Sequence, residues 1–435
     1  MLASKYHHFK TKISNDFLFH FLLLFCVLLP FQFALNPLQN FDLAVVRVVI
    51  PLMFFWWLFL AIRRKETILQ NNKISYLFLT FLTLATLSLF FSHNIFWSLR
   101  KLLFLFSIVP VYFVVLSALK TPSRRRKIIV ALVGGATLLS IISILQFSAQ
   151  FVFGIDPVYN FLAHSIAPFF LGRSFSQAVL AYPSWLVNAG GATYMRATSI
   201  FPDPHMLSYY LGMLIPFSIA LWSTSKKHAG LFFFSSALLI VADICTFTRG
   251  GYIALIAGMV VILPLVSKQA IKKLLLAAAT LAFLFTLAPH SPVAGRLTSS
   301  FDLNEGSNQG RISNWQQAFL IIKNHPLGVG IGMYSLAVDP NADYREPIYA
   351  HDLYLDIAAE LGIQTAFVFV AILFLAFIYF WKAAKNDPLL VAGVSSLIIF
   401  STHSLVETPL YSVHVLTLVC ILIALSASIK QYEKN

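Results

Sequence analysis

The chain has 435 residues, of which 58% are hydrophobic and 11% charged, and its formal net charge is +14. Soluble domains carry about 25% charged residues, so this composition excludes a water-soluble protein and predicts a polytopic membrane protein. The positive charge lies mostly in short blocks beside apolar segments, which is typical of membrane topology signals and argues against a nucleic-acid partner. The three cysteines lie in or at the ends of apolar runs, where a disulfide framework is not expected.

Windows of about 20 apolar residues are long enough to cross the hydrocarbon layer as a helix, and the sequence contains twelve of them. They lie near residues 17–36, 41–62, 74–92, 102–119, 128–151, 206–224, 229–247, 251–267, 271–288, 362–381, 389–405 and 411–429. The first window lacks a small-residue cleavage site and a polar mature start, so we interpret it as a retained span rather than a signal peptide. The chain is thus predicted to be one integral membrane domain over residues 1–435.

The distribution of lysine and arginine predicts how the spans are oriented. Alternate connections and both tails hold 21 of the 31 basic residues, and cytoplasmic loops collect such residues. Both termini are therefore predicted to be cytoplasmic. Two long connections, residues 152–205 and 289–361, then lie outside the membrane, and the second carries most of the motifs described next.

Ten basic residues are not explained by this topology rule. They are Arg47, Arg100, Lys101, Arg173, Arg196, Arg249, Arg296, Arg311, Lys323 and Arg345. A basic residue near the outer end of a span binds an anionic substrate, extends to lipid phosphates or lies in a solvated loop. The sequence leaves both interpretations open for each residue taken alone.

Arg249 lies in the tight outer turn of "ICTFTRGGYIALIAG", residues 244–258, directly before Gly250 and Gly251. The N-terminus of a helix presents free N–H groups and a partial positive charge, which suit phosphate oxygens. Arg249 is therefore a candidate phosphate ligand. The alternative is a turn arginine that is anchored to lipid headgroups.

The segment "NQGRISNWQQAFLIIKNHPLGVGIGMY", residues 308–334, predicts an amphipathic helix over 311–323 with Arg311 in its first turn and Trp315 on the apolar spacing. A proline and three alternating glycines then end the helix. These glycines lack the strand and helix context of a nucleotide-binding fingerprint. We expect them instead to let the backbone approach a bulky ligand or a neighbouring helix.

A titratable cluster directly precedes an apolar stretch in "IYAHDLYLDIAAELGIQ", residues 348–364. In a helix over 351–361, Asp352, Asp356 and Glu360 share one face. Three carboxylates and His351 could hold a divalent cation and its pyrophosphate. We favour His351 as a general base, because an imidazole with a pKa of about 6.5 accepts protons at neutral pH. The acids would then orient the ring, bind acceptor sugars or only solvate the helix face.

Two further segments carry polar residues at outer span ends. In "YMRATSIFPDPHMLSYYLG", residues 194–212, Arg196 precedes a proline-rich turn and His205 stands at the start of a span. In "FSTHSLVETPLYSVH", residues 400–414, Glu407 lies in the turn between the last two spans. His403 in the same segment is predicted to be a buried, hydrogen-bonded group rather than a catalyst.

Taken together, these motifs resemble the O-antigen ligase and O-antigen polymerase superfamily of bacterial envelope proteins. The likeness lies in their order: "TRGG" after a span, "GRISNW" and "HPLGVGIG" in a long outer loop, and "HDLYLDIAAELG" before the next span. It covers roughly residues 190–410. The family turn often has Ser before the arginine, whereas here Thr248 precedes Arg249.

This resemblance implies an all-α, GT-C-like glycosyltransferase of the bacterial inner membrane that takes a glycan from undecaprenyl pyrophosphate at the periplasmic face, with no metal and no cofactor. It further implies that Arg249 and Arg311 hold the pyrophosphate and that His351 activates the acceptor hydroxyl. The predicted substrate-binding residues are Arg196, Trp315, Asp352 and Glu407. A single displacement at the anomeric carbon predicts inversion.

Several acceptors and one other class of protein remain open. A ligase uses the lipid A-core oligosaccharide, a polymerase uses a second lipid-linked repeat, and a protein O-oligosaccharyltransferase uses a Ser or Thr side chain. The ligase is favoured because the motifs are closest to that branch and no extra soluble outer domain is appended. Twelve spans also suit a major-facilitator carrier or a glycolipid flippase, but the short link between spans six and seven and the lack of internal duplication argue against paired transport halves.

Overall fold

The computed structural model describes residues 17–38, 41–67, 72–181, 184–189, 191–269, 271–272, 295–296, 306–344, 347–385 and 387–429. This part of the chain is mostly helical, as predicted. Its only strands form two short antiparallel hairpins. The predicted ninth span, residues 271–288, lies outside the described residues apart from its first two positions.

The first half of the chain builds six long or medium helices and a hairpin. These elements are α1 (Phe17–Phe31), β1 (Ala34–Leu38), β2 (Phe41–Ala44), α2 (Val46–Arg63), α3 (Lys73–Leu87), α4 (Ile95–Ile108), α5 (Val111–Ala118) and α6 (Pro122–Phe153). The first long connection is itself folded, into α7 (Ile155–Phe161), α8 (Ala167–Leu171), α9 (Arg173–Ala181), β3 (Leu186–Ala189) and β4 (Ala192–Met195). The hydropathy windows did not anticipate either hairpin.

The second half contains the helices that carry the predicted motifs. They are α10 (Pro204–Thr224), α11 (Ala229–Ile244), α12 (Arg249–Val261), α13 (Gly306–Asn324), α14 (Tyr334–Val338), α15 (Leu353–Leu361), α16 (Ile363–Ala383), α17 (Pro388–His403) and α18 (Val413–Ala427). The predicted helix over 311–323 is thus confirmed, with five more residues at its start. The helix predicted over 351–361 begins two residues later than expected.

Six helices in the described residues are long and apolar enough to cross a membrane. They are Val46–Arg63, Lys73–Phe91, Ile95–Ala118, Pro122–Phe153, Pro204–Thr224 and Ile363–Ala383. Five shorter apolar helices match five other predicted spans. The chain is therefore a multi-pass membrane protein, whereas a total of twelve spans stays a prediction.

Polar side chains mark where these helices begin. Asn72, Asn94 and Thr121 each accept a hydrogen bond from a backbone N–H in the first turn of α3, α4 and α6, and Asp203 does the same for α10. Such caps satisfy N–H groups that have no partner within a helix. The apolar windows therefore fold as separate helices with defined starting points.

The centre of the bundle is formed by α10, which packs against α11 and α17, while α12 packs along α17. Small residues allow the close approach: a Cβ on Gly251 would overlap Ser208 on α10, and one on Gly258 would overlap Ile399 on α17. All fifteen residues of α18 except its first are buried. This packing brings the starts of α10 and α12 to the same end of the bundle as the turn after α17.

The glycine-rich loop after α13 packs against the end of α15 and the start of α4. Gly328, Gly330 and Gly332 all have positive φ angles. A Cβ on Gly328 would lie 2.5 Å from the carbonyl oxygen of Glu360, and one on Gly330 would lie 2.9 Å from Cα of Ser92. The expectation that these glycines permit close backbone approach is confirmed, and the neighbours are other segments of the chain.

Candidate functional site

His351 and Glu407 meet at the end of the bundle, although they come from different loops. Nδ1 of His351 lies 3.0 Å from Oε1 of Glu407. The two loops are also joined by their backbones, since Leu353 N–H donates to the carbonyl oxygen of Ser404 at 2.9 Å. The His351 side chain is 40% exposed and that of Glu407 is 11% exposed. The imidazole is therefore held by a buried carboxylate while part of its ring stays accessible.

The backbone turn at His351 sets this geometry. His351 has a φ of +54°, a left-handed conformation that is uncommon for residues other than glycine. Asp352 follows as the N-cap of α15, and its Oδ1 accepts hydrogen bonds from Tyr354 N–H at 2.9 Å and Leu355 N–H at 3.0 Å. One oxygen of Asp352 is thus engaged in starting the helix. Its predicted contact with substrate stays a prediction.

Asp356 and Glu360 are buried side chains that hold α15 to neighbouring loops. They do not lie on a solvent-exposed helix face. Asp356, 4% exposed, accepts from Ala350 N–H at 2.9 Å and binds the hydroxyl of Thr408. Glu360, 5% exposed, accepts from Gly332 N–H and from the hydroxyl of Tyr411, each at 2.9 Å. The interpretation that these acids only wet the helix is therefore wrong, because their oxygens tie α15 to neighbouring loops.

The charges of the His351 and Glu407 side chains stabilise each other. The negative charge of Glu407 raises the pKa of His351, although partial burial opposes this effect. Burial alone would raise the pKa of Glu407, but the positive charge and hydrogen bond of His351, together with His205 and Arg311, hold it well below its usual value. Burial raises the pKa of Asp356 to about 7. Glu407 is therefore the ionised acid of the site, and it favours the protonated form of His351.

Arg196 shapes the turn that precedes Arg249. Its Nε donates to the carbonyl oxygen of Thr246 at 2.7 Å, and its two terminal nitrogens donate to Thr248 Oγ1 and to the carbonyl oxygen of Ser184, each at 3.1 Å. Burial lowers the pKa of Arg196 to about 9, which still leaves the guanidinium protonated at neutral pH. The structure therefore brings Arg196 to the Thr248 turn, and most of its hydrogen-bonding fork is used on the protein.

Arg249 is the first residue of α12 and is 7% exposed, with Thr248 as the N-cap. Gly250 and Gly251 follow it in the first turn, and α17 packs close to both: a Cβ on Gly250 would meet Val406 and His403. The predicted helix N-terminus at Arg249 is confirmed. Because Gly250 lies beside Val406, the start of α12 lies next to the turn that contains Glu407.

Arg311 contacts the same turn, between α17 and α18, from another part of the chain. It lies in α13, and its Nε donates to the carbonyl oxygen of Val406 at 3.1 Å. Its positive charge is close enough to lower the pKa of His351 and of Glu407. Trp315 follows one turn later and is half-buried. The predicted residues Arg249, Arg311 and His351 thus converge on the turn between α17 and α18.

Two further histidines, His205 and His403, line this region, and neither was predicted to be a site residue. His205 Nδ1 lies 3.7 Å from Oε2 of Glu407, so the carboxylate faces His351 with one oxygen and His205 with the other. His403 is fully buried and its ring stacks on Tyr209 at 3.8 Å between centroids. Its burial is confirmed, but its predicted hydrogen bond is not found among the described residues. No local pattern links His205 to Glu407, since 202 positions separate them.

The arrangement is suited to proton transfer beside an anion. With Nδ1–H of His351 donating to Glu407, the Nε2 atom is left to accept a proton. Arginines on either side of the turn supply permanent positive charge. Within the described ranges, no three His, Cys, Asp or Glu side chains are arranged to hold a metal ion.

The fold and this site define a multi-pass membrane protein with a histidine–carboxylate pair between arginines. Residues 232–370 match the model of the family described as O-antigen ligase, and this match supports the family resemblance of the motifs. The match includes Arg249, Arg311 and His351, whereas Arg196 and Glu407 lie outside it. The match supports a glycosyltransferase of the ligase or polymerase type. No curated protein matches the chain.

Proposed function

We propose that the protein is an O-antigen ligase, which transfers a glycan from undecaprenyl pyrophosphate to a hydroxyl of the lipid A-core oligosaccharide at the periplasmic face of the inner membrane. The observation that carries the proposal is the contact of His351 with Glu407 in the same turn to which Arg311 is hydrogen-bonded. A base and a cluster of cations at one place are what displacement of a sugar from a diphosphate requires.

His351 is the general base in this scheme. Its Nε2 accepts the proton of the acceptor hydroxyl while that oxygen forms a bond to the anomeric carbon of the donor sugar. The bond between this carbon and the pyrophosphate oxygen breaks, and the lipid pyrophosphate leaves with the electron pair. The imidazolium that results is stabilised by Glu407, whose carboxylate lies 3.0 Å from Nδ1. One displacement inverts the anomeric centre.

Arg249 and Arg311 hold the pyrophosphate. Negative charge grows on the leaving oxygens during the reaction, and a guanidinium offers a planar fork of permanently charged donors to such oxygens. Arg249 also begins a helix, whose free N–H groups and dipole favour an anion. Arg196 supports this clamp indirectly, because it fixes the turn through Thr246 and Thr248. The charge of the arginines makes a metal ion unnecessary.

Transfer by the purified full-length protein tests this proposal. With a lipid-linked O-antigen donor and lipid A-core as acceptor, we expect wild-type protein to form lipopolysaccharide in the presence of a chelator. His351→Ala should lower the rate by about 10²- to 10⁴-fold, the usual contribution of a general base. Arg249→Ala and Arg311→Ala should each lower it by about 10²- to 10³-fold, the usual loss for one donor to a developing anion.

Matched controls come from exposed residues of the first long connection. His164 and Arg173 are exposed there, so His164→Ala and Arg173→Ala should transfer at the wild-type rate. Full activity of His351→Ala would disprove the base assignment. Loss of activity with chelator and recovery with a divalent cation would favour the metal alternative instead.

The acceptor is tested in a deletion strain. If the protein is a ligase, cells without it should carry bare lipid A-core and still hold polymerised O-antigen on the lipid carrier. A strain that holds only single repeats on the carrier would make the protein a polymerase. Unmodified Ser or Thr side chains on a normally glycosylated protein, with lipopolysaccharide intact, would make it a protein O-oligosaccharyltransferase.

A further inference from the structure

Three basic residues outside the Arg249 and Arg311 pair lie together near His351. Lys101 and Arg100 occupy the second turn of α4, and Arg47 is the second residue of α2, which packs against α4. Arg47 and Arg100 are close enough to interact electrostatically. Positive-inside topology does not explain these residues, because they lie at the same end of the bundle as His351.

Lys101 ties this cluster to the candidate site. Its Nζ lies 3.3 Å from the hydroxyl of Tyr349, two residues before His351, and 3.7 Å from the ring centroid of Tyr411. The carboxylate of Glu360 accepts from the Tyr411 hydroxyl and interacts electrostatically with Lys101. The charge of Lys101 is therefore balanced by Glu360.

Within the described residues, no carboxylate balances the positive charges of Arg47 and Arg100 in this way. Among the described residues, no carboxylate lies within 4.0 Å of either guanidinium group. Arg47 donates through Nε to Ser107 and lies over the ring of Phe104, and Arg100 is exposed and lies 4.3 Å from the ring centroid of Tyr344. Two like charges that are held together on aromatic rings, without a protein acid, form a site for an anion.

We infer that Arg47 and Arg100 bind a phosphate group on the acceptor sugar, with Tyr344 as a platform for the sugar ring. The inference rests on the proposed function and adds a subsite to it. The contacts separate this subsite from the donor arginines: Arg311 is bonded to the turn beside Glu407, whereas Arg100 contacts Tyr344. Lys101 lies over the ring of Tyr344 and contacts Tyr349, which precedes His351 by two residues. In the inferred complex, the acceptor glycan reaches from Tyr344 to His351 and presents its hydroxyl to Nε2.

Steady-state transfer distinguishes the acceptor from the donor. In nanodiscs of zwitterionic lipid, Arg47→Gln and Arg100→Gln should each raise KM for phosphorylated lipid A-core by about ten- to hundredfold, the usual effect of losing a charge-assisted hydrogen bond. KM for the donor and kcat should stay at wild-type values. The matched control is Arg63→Gln, at the other end of α2, which should change neither KM.

Removal of the phosphate groups from the lipid A-core is the complementary test, because it changes the acceptor instead of the protein. Dephosphorylated lipid A-core should raise KM for wild-type protein by the same factor, and the two variants should show no further increase. A rise in donor KM instead, an unchanged acceptor KM, or an effect seen only in bilayers of anionic lipid would overturn the inference. The last of these would assign the arginines to lipid headgroups.

A binding measurement separates this inference from the proposed function. The affinity of full-length protein for phosphorylated and dephosphorylated lipid A-core is measured without donor, for the wild type and both variants. Phosphate-dependent binding that Arg100→Gln abolishes supports the subsite even if no transfer is detected. Equal affinity for both acceptors contradicts it even if transfer proceeds.

Discussion

Nδ1 of His351 lies 3.0 Å from Oε1 of Glu407, although 56 residues separate them in the chain. The contact joins the loop before α15 to the turn between α17 and α18. It fixes which ring nitrogen faces the protein, because a carboxylate can only accept the hydrogen bond. The same carboxylate faces His205 with its second oxygen. Since the backbone bond from Leu353 N–H to the Ser404 carbonyl also holds the loop, replacement of Glu407 should alter the protonation of His351 more than the position of the loop.

Glu407→Gln should shift the pH dependence of transfer. His351 accepts a proton only when neutral, so the rate rises as the pH rises through its pKa, which Glu407 holds above 6.5. Loss of the negative charge lowers this pKa, so the rising limb of kcat/KM should move to lower pH. The plateau rate should fall about tenfold or more, because the imidazolium loses its counter-charge. The measurement is a pH–rate profile from pH 5 to about 9.

The control for this profile removes an acid elsewhere in the chain. Asp387 caps the other end of α17, so Asp387→Asn should leave the inflection unchanged. If the inflection of kcat/KM does not shift in Glu407→Gln, the pH dependence of the rate arises from the titration of another group. The role of Glu407 would then be confined to holding the loop.

Thr408 should be a positioning residue because its hydroxyl binds the buried carboxylate of Asp356. Thr408→Val keeps the shape of the side chain and leaves Asp356 without this donor. We expect a loss of about 1–3 kcal/mol in the free energy of unfolding, the usual effect of an unsatisfied buried group. Thermal denaturation in detergent measures it. Thr80 is exposed and bonds only within its own helix, so Thr80→Val should have no comparable effect.

Hydropathy was sufficient to locate the eleven apolar helices of the described residues, because the thickness of a bilayer restricts their length and composition. The hairpins Ala34–Leu38 with Phe41–Ala44, and Leu186–Ala189 with Ala192–Met195, were missed. Each has only four or five residues per strand, which is too short for alternation to stand out from a neighbouring apolar run. Some helices begin at a different residue than predicted, because a capping residue such as Asp352 or Asp203 sets the boundary instead of hydrophobicity.

The sequence predicted which residues form the candidate site better than it predicted which of them contact each other. His351, Arg249 and Arg311 were identified because base and cation chemistry requires such residues near span ends. Glu407 was assigned to substrate, whereas its nearest partner is His351. Helical spacing pointed instead to Asp352, Asp356 and Glu360 as orienting acids. Spacing describes only contacts within one helix, and the His351 contact depends on how α15, α17 and α18 pack.

Arg196 should not tolerate replacement by lysine. Three of its nitrogens donate to groups on the Ser184 and Thr246 to Thr248 segments, and a single ammonium cannot reach all of them with the same geometry. Arg196→Lys should therefore lower both thermal stability and transfer. In contrast, Arg311→Lys keeps the positive charge beside the Val406 carbonyl and should lower transfer while thermal stability changes little. Equal thermal stability of Arg196→Lys and the wild type would contradict the structural role.

Gly330→Ala tests the packing of the loop that follows α13. Gly330 has a φ of +102°, and a Cβ there would lie 2.9 Å from Cα of Ser92. The substitution combines backbone strain with a clash against another backbone, so we expect a loss of more than about 1 kcal/mol in the free energy of unfolding. Gly134 provides the control: it lies within α6, and nothing surrounds its Cβ position within 4 Å. Gly134→Ala should be neutral or slightly stabilising, because alanine favours helix more than glycine does. Equal denaturation temperatures for the two variants would show that the loop can move away from α4 without cost.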